Sequence, residues 1–122
     1  MSTASTSIIV GVLFLLIFLS GLWLSRSGRP LQGGISAIHK LVSLGAGVLL
    51  LVAIYQRNEA APLGATAWMA IAATGLCFLA DVASGALLSS EAARPVAVLR
   101  IHQIAPVLTV VLSGATLYLL LG

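Results

Sequence analysis

The chain has 122 residues, 60% of them hydrophobic and 7% charged, with a net charge of +3 and a mean hydropathy of +1.15. A soluble domain of this size carries about a quarter charged residues, so these values exclude a fold whose main solvent is water. The six basic residues are few and collect on one membrane face, so a pI near 9.8 does not point to nucleic acid.

Four apolar segments follow in chain order, each near or above the roughly 20 residues that cross a bilayer core. The first, residues 7–25, has no Lys or Arg before it, while Arg26 and Arg29 follow. It reads as a retained helix rather than a cleaved secretory signal. Residues 35–55 form the second span and hold His39 and Lys40. A short connection with Arg57 and Glu59 leads to the third span, 63–89, which carries Cys77 and Asp81. The fourth, 96–121, carries Arg100, His102 and Pro106. The lone Cys77 excludes a disulfide framework and a cysteine-based metal site. Proline at 106 has no N–H for the His102 carbonyl, which predicts a kink there.

Five of the six basic residues (Arg26, Arg29, Lys40, Arg94 and Arg100) lie in or beside the first and third connections. The positive-inside rule puts that side in the cytoplasm and both termini outside. The expected fold is all-α: an integral membrane, up-down four-helix bundle, one domain over 1–122, in the inner membrane of a prokaryote.

The bundle reads as a helical hairpin used twice. Gly11, Phe14, Leu15, Ser20 and Gly21 match Gly75, Phe78, Leu79, Ser84 and Gly85. Arg29-Pro30 matches Arg94-Pro95, Ile38-His39 matches Ile101-His102, and Tyr55 matches Tyr118. Small and leucine matches recur by chance in apolar helices; the ordered set with Arg-Pro and Ile-His does not rest on them. Both halves start on the same side, so the repeat is parallel, with its pseudo-two-fold axis along the membrane normal.

His39 and His102 are the only histidines. At about 1.5 Å of rise per residue they fall roughly 6–9 Å below the cytoplasmic ends of the second and fourth helices. The repeat predicts that they face each other at one depth, with Gly21 and Gly85 at that level on the other two helices. Two opposed imidazoles suit the two faces of a haem iron, and glycine lets a backbone approach a ligand closely. Ser43, Ala46, Ala105 and Thr109 leave the faces beside the rings small. Arg29 and Arg94 stand ready for the anionic propionates. The plainer readings are a histidine that only hydrogen-bonds to a neighbour, glycines that pack helices and arginines that only set topology.

The combination of His39, His102, Gly21 and Gly85 resembles the haem-binding four-helix core of membrane b-type cytochromes. The closest layouts are the cytochrome b subunit of quinol:cytochrome c oxidoreductases and its small bacterial relatives. The resemblance spans the whole chain in layout and about four residues in motif. It implies one bis-histidine haem b and electron exchange with quinone, quinol or a partner protein. Those cores commonly hold a second haem. Where its ligands would fall, this chain has Val52, Ala53, Ala115 and Thr116, so the resemblance implies a one-haem version.

Asp81 stands where the repeat has Ile17. A mid-span carboxylate costs about 2.5–3.5 kcal/mol on insertion scales, which points to a task or a partner: a proton relay, or a bond to Ser20, Thr109 or Ser113. Other functions compatible with the sequence are a small proton-coupled transporter using Asp81, a chlorin-binding protein with the same two ligands, and a cofactor-free accessory subunit. Oligomerisation is compatible with each.

Overall fold

The computed structural model describes residues 2–28, 33–90 and 92–121. The chain is all-helical, with α1 at Thr3–Ser27, α2 at Gly33–Ala60, α3 at Ala65–Ser89 and α4 at Val96–Leu121. Each helix is long and apolar enough to cross a membrane. Pro62 and Pro95 lie in the connections, where a missing N–H costs no helical hydrogen bond. Pro106 lies inside α4, which continues through it.

The helices form two compact units, Met1–Ala61 and Pro62–Gly122. The first is the α1–α2 hairpin. Its buried residues include Val10, Leu24, Ala46, Leu50, Ala53 and Ile54. The second is the α3–α4 hairpin. Ser84 meets His102, Asp81 meets Thr109 and Thr74 meets Thr116, so partner numbers fall on α3 as they rise on α4, the register of antiparallel helices. Large apolar side chains such as Leu41, Met69, Leu76 and Tyr118 are exposed, an outer surface unsuited to water.

Several hydroxyls in these apolar helices bond back to their own helix. Ser20 donates to the Ile17 carbonyl, Ser43 to His39, Thr74 to Ala70 and Thr109 to Ala105.

Helix ends differ from the sequence expectation for local reasons. α1 begins at Thr3 because Ser2 caps it, its Oγ accepting from the Ser5 amide at 3.1 Å. It ends at Gly28, whose φ of 71° and ψ of −169° suit a residue without a Cβ. α2 extends to Ala60, so Arg57 and Glu59 belong to its last turns rather than to the connection. Nothing before Pro62 breaks the helix. A cation in the last turn also complements the helix dipole, and Arg57 donates to the Ala61 carbonyl at 3.0 Å. α4 has its expected bounds.

Candidate functional site

Each histidine is the seventh residue of its helix as described, His39 counted from Gly33 and His102 from Val96. Each meets the same two residues of the preceding helix. In the first hairpin, the His39 Nδ1 and Ser20 Oγ lie 2.9 Å apart. In the second, the His102 Nδ1 and Ser84 Oγ are also 2.9 Å apart. The repeat seen in the sequence is thus a repeat of side-chain geometry.

Each serine hydroxyl also has a carbonyl of its own helix in reach, Ser20 that of Ile17 at 3.0 Å and Ser84 that of Ala80 at 2.6 Å. When that carbonyl takes the one hydroxyl hydrogen, the serine oxygen is left to accept from Nδ1–H. A hydrogen bond of this kind at Nδ1 is how proteins fix the tautomer of a metal-ligating histidine and orient its ring.

Gly21 and Gly85 give these rings their room. A Cβ built on Gly21 would lie 3.1 Å from His39 Cε1, and one on Gly85 would lie 2.9 Å from His102 Cε1. The clearance that the sequence assigned to a macrocycle edge is taken by the imidazole itself. By contrast, the other matched pair, Gly11 and Gly75, has nothing within 4 Å of an added Cβ.

The two expected propionate arginines fare differently. Arg29 lies outside the described residues. Arg94 is exposed, and its Nη2 and Nε donate to Ser90 Oγ at 3.0 and 3.3 Å.

Asp81 is partly buried in α3. Of the three hydroxyls considered for it, Thr109 makes the bond, donating to Oδ2 at 2.7 Å. Its Oδ1 is buried and has no hydrogen-bond partner among the described residues, and the same holds for Ser113 Oγ.

Ser20 and Ser84 are the site residues that sequence reasoning missed. Their signal was present, since both belong to the matched Ser-Gly pairs, but nothing in a one-dimensional match says which residue a serine on one helix will touch on the next.

Among the described residues no group of three or more His, Cys, Asp or Glu could hold a metal ion. A haem iron would need only an imidazole from each hairpin, since the porphyrin would supply its other four donors. No protein-family model, no curated protein and no solved structure matches the chain. The chemistry of the site rests on these side chains alone.

Proposed function

We propose that the chain is an integral membrane electron-transfer protein that binds one haem b, with His39 and His102 as the two axial ligands. The observation that carries this reading is the twinned Ser–His–Gly arrangement, the same bond length and the same glycine beneath the ring in both hairpins.

The residues then have distinct tasks. Ser20 and Ser84 hold the Nδ1 protons, which orients the rings and strengthens Nε2 as a donor. Gly21 and Gly85 let the rings stand against the preceding helix. Arg29 and Arg94 remain the proposed partners of the propionates through charge-assisted bonds. When bound, haem supplies a reversible one-electron couple. The partner is a quinone, a quinol or a redox protein. The connections between the helices are too short to hold a flavin or an iron–sulfur cluster. The proposed setting is the inner membrane of a prokaryote, with the His side of both hairpins cytoplasmic and both termini outside.

The test is the absorption spectrum of protein purified from haem-replete cells. A reduced b-type spectrum that is lost in His39→Ala and in His102→Ala supports the reading. Colourless wild-type protein overturns it.

A second reading is favoured by one observation, the buried and unpartnered Asp81 Oδ1. It makes the chain a proton-coupled transporter. Proton-driven uptake that survives both histidine substitutions and fails in Asp81→Asn would support this instead.

A further inference from the structure

The two hairpins share their backbone plan but differ along one line of buried positions. In the second hairpin this line carries Thr74 and Asp81 on α3, and Thr109, Ser113 and Thr116 on α4. The equivalent residues of the first hairpin are Val10, Ile17, Ala46, Leu50 and Ala53. Burial is kept while polarity is not. Thr74, Thr109, Ser113 and Thr116 are buried, and so are Val10, Ala46, Leu50 and Ala53. Every apolar residue on one side of the comparison meets an oxygen-bearing residue on the other.

The α4 members share one face, since 109, 113 and 116 are spaced by four and three residues. Thr109 and Thr116 bond to α3, to Asp81 Oδ2 at 2.7 Å and to Thr74 Oγ1 at 3.1 Å. Ser113 sits between them on that face.

Hydrogen atoms are short here. Thr109 Oγ1 has one hydrogen and two acceptors in range, Asp81 Oδ2 at 2.7 Å and the Ala105 carbonyl at 2.9 Å. Asp81 Oδ1 receives none among the described residues, and Ser113 Oγ, in a residue 1% exposed, has no partner either. Leaving such groups unsatisfied costs about 1–3 kcal/mol each. Asp81 on α3 and Ser113 on α4, one turn from the Thr109 that bonds Asp81, would bear that penalty together.

We propose that the second hairpin binds water inside the membrane, in a file anchored at Asp81 Oδ1 and Ser113 Oγ and flanked by the threonine hydroxyls, while the first hairpin stays dry. Water is the ligand this chemistry selects. It donates to the carboxyl oxygen and to hydroxyl oxygens and accepts from Ser113, and buried waters characteristically make about three such bonds. A calcium ion takes about six to eight oxygens, more than one carboxyl group and these hydroxyls offer. The file runs along the α3–α4 seam, from the level of Thr74 and Thr116 towards that of Asp81, one helical turn from Ser84, the partner of His102. The proposal rests on the membrane reading above and is independent of haem.

Water-edited solid-state NMR on the full chain in lipid bilayers tests it. Magnetisation transfer from water is expected to be several-fold stronger at Asp81, Thr109 and Ser113 than at Ile17, Ala46 and Leu50. It should fall at Asp81 in Ser113→Ala. It should vanish in a variant given the first hairpin's own side chains, Asp81→Ile with Thr109→Ala and Ser113→Leu. Wild-type signals at Asp81 and Ser113 no stronger than at Ile17 and Leu50 overturn the proposal, with no variant needed. Strong water signals at the outward residues Leu41 and Leu76 overturn it together with the membrane reading, whereas dry outer faces with a dry seam overturn the water file alone.

Discussion

At the scale of single residues, the glycines beneath the histidines make a graded comparison. A Cβ at Gly85 would sit 2.9 Å from the His102 ring, closer than real Cβ atoms come, and one at Gly21 would sit 3.1 Å from His39, a contact that a small movement relieves. On the proposed haem reading, Gly85→Ala is therefore expected to lower haem per purified chain more than Gly21→Ala, while Gly11→Ala and Gly75→Ala leave it unchanged. Ser20→Ala and Ser84→Ala remove the hydrogen-bond partner of Nδ1 and leave the ring itself unaltered. Outer-shell losses of this kind cost about 10- to 100-fold in metal affinity, to be read from haem titration of the two variants. Thr109→Val deletes the donor to a carboxyl group whose other oxygen already lacks one. A loss of about 1–3 kcal/mol is expected, measured by denaturant titration in detergent. The histidines were legible in the sequence because they are rare and recur in step. Their serine partners were not, because a contact between helices depends on how one is rotated against the other, and helices that are apolar on every side carry no stripe that announces it.

At the scale of the helix, length and apolar character were legible and the ends less so. Residues 96–121 were read correctly because Pro95 supplies a hard start. α2 runs past the expected end at residue 55 because charge does not mark a connection there: Arg57 in the last turn complements the dipole and bonds to Ala61. Polar residues are no barrier to helix, only to apolar surroundings. The end of α1 gives a direct check. Gly28 has φ 71° and ψ −169°, a region almost reserved for glycine, where a side chain costs about 1–3 kcal/mol. Gly28→Ala is expected to lower the unfolding midpoint in detergent. Gly33→Ala, where an added Cβ meets nothing within 4 Å, is expected to leave it near the wild-type value.

For the whole molecule, composition alone marked four spans, and the repeat marked two hairpins with a histidine in each. Sidedness belongs to this scale. In a Cys77→Ser background, Ser27→Cys and Ala93→Cys are expected to react with a membrane-impermeant thiol reagent only from the cytoplasmic face, and Ala61→Cys only from the opposite one. Reaction of all three from one side would refute the up-down path.

The Ser–His bond closes within each hairpin, never across the chain's midpoint. Each half therefore keeps its own imidazole in position without help from its twin. A gene for one such unit, copied and joined end to end, leaves two modules free to drift apart, because a change in one does not unseat the ring of the other. The apolar line of Val10, Ala46, Leu50 and Ala53 in the first and the hydroxyl-bearing line of Thr74, Thr109, Ser113 and Thr116 in the second are what that freedom permits.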